Sequence, residues 1–443
     1  MERSRWVFIL LLVCAAAWAE NWPQWRGPLF NGSTTVTDLP TEVGEDKSVK
    51  WKTPMPGASG ATPIVWGDRV FVSSATEPQG RGGGRRRRLG DLLALCFDAN
   101  TGEELWRRTT GKDRAVARGN NMASPSPVTD GQTVWFYYGT QSLFAFDFDG
   151  KPLWQRDLEE DYGHNALMFG YSSSPLLYRG RLYIVAIRNK KHHEYRRAPE
   201  GTCESYLLAI DPDTGRTLWK VDRPTDAVRE AQEAYTTAIP FERDGRAEIL
   251  VFGADYLTAH DPETGKELWR WGGYNPTHIY HWRVVPSPVV AGDVIVVVGP
   301  KHSRLFAIRP AETGLVGDDH VAWTLDKRTP DASTPLYYQG RLYVLEDDRR
   351  LLTCLDPQTG EQAWQGRLGG RGVIRASLTG ADGKLYCLYE NGEVVVLAAG
   401  DEFKILHRAN LAEDRPYRAR GTIAAAQGCL FARTTEKLYC FTE

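Results

Sequence analysis

The chain has 443 residues with 15 Trp, 43 Gly and 25 Pro, and is 42% hydrophobic and 25% charged. That is ordinary globular composition, which excludes collagen, coiled coil and wholesale disorder. Lys and Arg number 54 against 56 Asp and Glu, a formal net charge of −2, so no attraction of the whole molecule to nucleic acid or to an anionic membrane is expected and electrostatic recognition must be local.

Residues 1–19 carry Arg3 and Arg5, an apolar run from Val7 to Ala17, and the small-x-small triplet Ala17-Trp18-Ala19. This is the pattern of a cleavable export signal. The run is too short for a membrane span and no later segment approaches one, so a soluble periplasmic or secreted chain is expected. Val13 before Cys14 is a poor match to a lipoprotein site. Of the cysteines beyond the signal, Cys96, Cys354, Cys387, Cys429 and Cys440 sit in apolar strand patterns and read as buried thiols, while Cys203 lies in a polar loop. Residues 20–46 read as an N-terminal linker, and 47–443 as one repeat array.

The repeated unit is an alternating apolar strand, a turn built as Asp-x-x-Thr-Gly, and a short strand ending in Leu-Trp or Ala-Trp. It runs from Asp98 to Trp106, Asp211 to Trp219, Asp261 to Trp269 and Asp356 to Trp364, with degenerate copies ending at Trp154, Trp323 and His407 and a lone closing half at Trp51. Asp accepts bonds from turn amides, and Gly takes the left-handed position that reverses the chain, so the motif is a β-hairpin. The Trp lands on a fixed face of the second strand, where its area can cover the joint between neighbouring sheets.

Before each motif lies another hairpin whose first strand often opens on hydroxyl residues and Pro. These hairpins start near Ala61, Ser126, Ser174, Thr237, Ser287, Thr334, Ser377 and Thr422. Four strands in units separated by 41 to 65 residues predict an all-β, eight-bladed β-propeller. The last unit stops at Lys437-Leu-Tyr-Cys440-Phe without a Trp strand, and the array opens on Lys50-Trp51-Lys52. The N-terminal strand is therefore expected to close the last blade, which removes exposed sheet edges.

The Asp-x-x-Thr-Gly-x-x-x-Trp repeat resembles the tryptophan-docking motif of the pyrroloquinoline quinone (PQQ) type propellers. That superfamily includes quinoprotein alcohol dehydrogenases and the non-catalytic outer-membrane assembly scaffolds of the BamB type. The resemblance covers essentially the whole array and is more specific for fold than for function. For the dehydrogenases it implies PQQ over calcium in the central funnel, with a Glu, an Asn and a catalytic Asp. The Asn falls on Asn189 as the candidate cofactor-binding residue, but the Asp falls on Ala234, which can be neither base nor metal ligand. Glu233 beside it should face the opposite side of the strand, and no vicinal Cys pair is present. No cofactor and no metal are therefore expected, with PQQ and calcium as the alternative.

Loops joining strands two and three, and those joining blades, emerge on one face and are the natural place for binding. Two of them, Arg81 to Arg88 and Arg188 to Arg197, are strongly basic. Around the funnel the candidate ligand-binding residues are Asn121, His164, Tyr171, Tyr235, His281, Trp282, Arg283, Arg375 and Arg420. Arg375 and Arg420 stand where other repeats carry Ser124, Ser172 or Ala332, and such breaks in local consistency are where function is expected. Each Arg could equally be held by a nearby carboxylate. Trp271 is a further candidate; His192-His193 has no spaced ligand partners; no G-x-S-x-G, H-E-x-x-H or P-loop occurs. The sequence thus reads as an exported, monomeric, non-catalytic binding or scaffold propeller for a protein, an anionic or a carbohydrate ligand. A PQQ- and calcium-dependent alcohol or sugar dehydrogenase is the alternative.

Overall fold

The computed structural model describes residues 21–77, 89–114, 120–165, 167–189, 204–411 and 419–443. The expected export signal and most of both basic loops lie outside the described residues. Eight antiparallel sheets stand in a ring, with almost no helix beyond the single turn Leu158–Tyr162. In blade 1 the strands run Ile64–Trp66, Arg69–Ala75, Asp91–Asp98 and Glu104–Lys112 from axis to rim. Blades 2 to 7 repeat this order over residues 128–157, 176–222, 239–271, 289–325, 336–367 and 379–410.

Blade 8 is built from both ends of the array. Ala424–Ala426, Cys429–Arg433 and Lys437–Phe441 are joined at the rim by Val49–Pro54, with Trp51 opposite Cys440. This is the closure expected from the sequence. The joint with blade 1 is tied by Arg433, whose guanidinium donates to the carbonyls of Ser73 and Gly57 at 2.6 and 2.5 Å.

The turn chemistry explains the repeat. Asp98 Oδ1 accepts the amides of Asn100 and Thr101 at 2.8 and 2.9 Å, and Asp211, Asp261 and Asp356 repeat the arrangement. The Gly that follows has φ near +75° and lies under the rim-strand Trp of the preceding blade. A Cβ on Gly102, Gly150, Gly215, Gly265 or Gly360 would stand 2.5–2.6 Å from the indole of Trp51, Trp106, Trp154, Trp219 or Trp323. The same indoles donate to carbonyls of that turn at 2.8–3.2 Å. Each Trp therefore joins one blade to the next through area, shape and one hydrogen bond.

Three positions depart from this pattern: Trp364 still donates to Gly400 O at 2.8 Å, but a Cβ on Gly400 would meet nothing within 4 Å, and the other two differ more. In blade 5 the turn is followed by Gly314–Val316, which adds a fifth strand, parallel to Glu267–Trp271, at the rim of blade 4. Trp269 is fully buried there and donates to Glu248 Oε2 at 2.9 Å instead. In blade 8 no turn joins the third and fourth strands, so His407 of blade 7 donates to Val43 O at 3.0 Å and Gly44 packs against Ala409.

The segment expected as a linker is part of the core. Trp22, fully buried, exchanges two 2.9 Å backbone bonds with Val65 on the innermost strand of blade 1. Pro23 then bonds to Thr129 of blade 2, Gln24 to Leu177 of blade 3, and Gly32 and Thr34 to Gly380 of blade 7. Leu39 and Pro40 continue along blade 7 to Lys384 and Tyr386. Residues 21–34 thus use the free inner edges of the ring and plug the channel. The free cysteines at 96, 354, 387, 429 and 440 are buried, as expected; Cys203 lies outside the described residues.

Removing one blade-to-blade Trp leaves a cavity and an unfilled turn. Trp106→Ala is expected to cost about 3–5 kcal/mol, measured by equilibrium urea unfolding.

Candidate functional site

On the face where blades connect, the channel opens into a funnel of about 310 Å³. Its floor is Trp25 from the plugging segment, and its wall carries Thr62, Ser126, Ser174, Thr237, Ser287, Thr334, Ser377 and Thr422, one from each blade. These side chains form a directional ring. The amide of Thr62 donates to Ser126 Oγ, that of Ser126 to Ser174, of Ser174 to Thr237, of Thr237 to Ser287, of Ser287 to Thr334 and of Thr334 to Ser377, at 2.9–3.1 Å. Thr422 N extends the series to Thr62 Oγ1 at 3.1 Å, so seven such bonds link the eight residues. The hydroxyls that open the first hairpins in the sequence are thus both architecture and lining.

Above the ring stand Arg283, Arg375, Arg420 and Tyr235. All three cations have carboxylate partners. Arg283 donates to Glu230 Oε1 at 2.8 Å and lies 4.6 Å from the Phe169 ring. Arg420 donates to Glu390 Oε1 at 2.7 Å and also bonds Asn120. Arg375 is held more loosely, 3.5 Å from Asp348 and 3.9 Å from Asp331. Each lip cation thus has a carboxylate within reach, the pairing that the sequence left open for Arg375 and Arg420 beside ligand contact.

The remaining expected ligand residues lie off the funnel lining. Tyr171 is buried, with its hydroxyl on Val185 O at 2.5 Å and its ring edge-on to Tyr137. His164 pairs with Glu159 at 2.8 Å, and Asn121 ties Ala58 O to its own loop at 2.7 Å. Trp282 packs against the core of blades 3 to 5, and His281 stands beside Tyr280. Trp271 is fully buried against Phe306. These side chains shape the loops around the mouth.

Behind Tyr235 lies a carboxyl that the sequence leaves without a role. Glu233 is fully buried; its Oε2 accepts the amide of Met168 and the hydroxyl of Tyr235, both at 3.0 Å, and Asn189 stands against it. Burial pushes it up to about 7, against the pull of these donors. As expected for adjacent strand positions, Ala234 points elsewhere, into contact with Gly253. Asn189, 1% exposed, donates to Arg229 O at 3.2 Å. Neither Glu233 nor Asn189 lines the funnel.

Two groups of side chains among the described residues come within metal-ligand reach, Asp226 with Asp255 and His278, and His302 with Asp347 and Asp348. Asp255 is held by Asn275 and His278. Asp347 caps the amides of Asp331, Ala332, Ser333 and Asp348. Both groups serve loop structure in this arrangement.

With this geometry in view, comparison with known proteins gives the family. The family model described as "Outer membrane protein assembly factor BamB" matches residues 17–191, 90–316 and 316–439. The chain belongs to this family. Among curated proteins, a polyvinylalcohol dehydrogenase of Pseudomonas sp is 24% identical over 214 residues, 45% of this chain and 29% of that protein. The same enzyme from Sphingopyxis sp. (strain 113P3) is 25% identical over 218 residues, 46% of this chain and 28% of that one. The match thus spans less than a third of the length of these relatives. Among solved structures, BamB from Moraxella catarrhalis superimposes with a TM-score of 0.57 at 13% identity, covering 89% of this chain and 98% of that one. A europium-containing methanol dehydrogenase gives 0.69 at 10% identity, covering 96% and 98%. The quinohemoprotein alcohol dehydrogenase of Comamonas testosteroni gives 0.64 at 13%, covering 95% and 80%. At these identities the likeness establishes the propeller fold. The family thus shares its fold with a scaffold and with quinoprotein enzymes.

An acid whose folded pKa lies above its unfolded value loses stability as pH rises between the two. For Glu233 that window runs from the ordinary carboxylate range to about 7. Glu233→Gln is expected to flatten the pH dependence of the melting temperature there and to be the more stable protein at pH ~8, in thermal unfolding across that range.

Proposed function

We propose that the chain is an exported, non-catalytic binding platform, which presents its funnel and surrounding loops to a protein partner or to an anionic or carbohydrate ligand. The observation that carries this reading is the lining itself, a ring of hydroxyls under arginines already tied to carboxylates. The groups that a quinone and calcium would need do not fit. Ala234 occupies the position of the base, and Glu233 and Asn189 are buried in the wall instead of facing the funnel. Kinship with a scaffold family supports the same reading, and no described helix is long and apolar enough to cross a membrane.

The polyvinylalcohol dehydrogenase relatives and the contact of Asn189 with Glu233 favour a second reading, PQQ- and calcium-dependent oxidation of an alcohol or sugar. Addition of PQQ and Ca²⁺ separates the two. On the platform reading neither the melting temperature nor alcohol-dependent dye reduction changes; a rise in both establishes the dehydrogenase. In parallel, a pull-down from the native exported fraction should retain a partner that is lost when Arg283, Arg375 and Arg420 are changed to Ala. Unchanged retention removes the funnel from the interface.

A further inference from the structure

The three lip arginines are not held alike. Arg283 and Arg420 each hydrogen-bond a carboxylate, at 2.8 and 2.7 Å. Arg375 has only ionic neighbours, Asp348 at 3.5 Å and Asp331 at 3.9 Å, and its guanidinium makes no hydrogen bond among the described residues. Yet it lines the funnel, with its side chain 32% exposed. A planar fork of N–H donors is thus set in the wall and left unspent.

The surroundings of this fork decide what it can take. Asp331 lines the funnel beside it; its Oδ1 accepts the Lys301 amide at 3.1 Å, and its Oδ2 is the oxygen that faces Arg375. Behind them His302 stands 3.1 Å from Asp348 and 4.0 Å from Asp347. Even with that imidazole protonated, three carboxylates face two cations, so the sector repels a further anion. What fits is a neutral group that accepts from Arg375 and donates to Asp331, and an alcohol hydroxyl does both.

The rest of the sector suits the same guest. Three residues on from Asp331 and two from Arg375 come Thr334 and Ser377 of the hydroxyl ring. Seven of the eight ring hydroxyls accept an amide from a neighbouring blade, and none donates to a described residue, so their O–H groups are available to the funnel they line. Trp25 supplies a floor that is apolar and rich in π density. Polar donors and acceptors on the wall over an aromatic floor match a molecule with hydroxyls at its edge and C–H groups on its face.

We infer that this sector of the funnel, between blades 6 and 7, binds adjacent hydroxyls of a neutral sugar ring. Arg375 and Asp331 hold one edge of the ring, Thr334 and Ser377 donate to it, and Trp25 supports its apolar side. The assignment rests on the platform reading and deepens it, because it selects the carbohydrate among the ligands open to the funnel and names the residues that recognise it. A funnel of about 310 Å³ lies at the small end of ligand pockets, ~300–1,000 Å³, and suits a short saccharide.

The test is isothermal titration calorimetry of the full chain, free of PQQ and calcium, with the methyl glycosides of glucose, galactose and mannose. Sorbitol, which has the hydroxyls without the ring, and sodium phosphate at matched ionic strength are the controls. Saturable binding of at least one glycoside is expected. Arg375→Ala should weaken it at least ~10-fold, with Arg375→Lys between the two. Asp331→Asn should weaken it several-fold, whereas an anion site would bind more tightly after that change. Arg375 has no hydrogen bond to lose, so Arg375→Ala is expected to melt at the wild-type temperature; Arg375→Lys decides the matter if it does not fold. Absence of glycoside binding, equal binding of sorbitol, tighter binding of phosphate, or unchanged affinity in a folded Arg375 variant overturns the site. If the glycosides fail while the pull-down still retains a partner, the sugar site falls and the platform stands; if the pull-down is empty as well, both fall.

Discussion

A four-stranded blade has two apolar faces, and in water neither can be left bare. Setting eight blades in a ring gives every face a neighbour, and the other features follow from making that ring close. The rim Trp residues settle the joint at large radius, where a turn Gly clears space for each indole. The hydroxyl ring settles it at small radius, where no room remains for large side chains. Between them run the buried layers, such as Val185 and Leu207 of blade 3 against Ile249 and Val251 of blade 4.

The same constraint shapes the centre. Innermost strands have no partner on their axial edge, and unpaired backbone groups facing a narrow channel are costly. Residues 21–34 take up part of that edge and replace a water-filled pore by a floor. The funnel is thus a shallow cup whose depth is set by where Trp25 comes to rest.

The architecture was legible because its chemistry is local and repeated. Asp, Thr and Gly within five residues specify a turn wherever they occur, and a Trp four residues later fixes which side of the blade is covered. Even the closure could be read, from a missing strand at each end. The site was legible only in part. Arg283, Arg375, Arg420 and Tyr235 do meet at the funnel, because breaks in the repeat mark the lip. Their pairing was an open alternative whose partners were hidden, since Glu230, Glu390, Asp331 and Asp348 come from other loops, and pairing across blades has no sequence period. Trp25 was hidden more deeply, in a segment with no repeat to align. Glu233 shows a third limit: alternation told which way it points, but nothing in the sequence told that Tyr235 and Met168 would be waiting there.

Closure through a split blade also sets an order of events. Arg26, whose guanidinium donates to Leu378 O, and Trp51, paired with Cys440, belong to the earliest part of the chain, yet these partners are made late. The inner plug and the final rim strand can settle only when blades 7 and 8 exist. Contacts spanning more than 300 residues of sequence carry a large loop-closure cost before they return any stability, so the final step is a slow one. Until then the partial ring exposes two raw blade faces, and the time spent in that open form is when this protein is most exposed to aggregation and proteolysis.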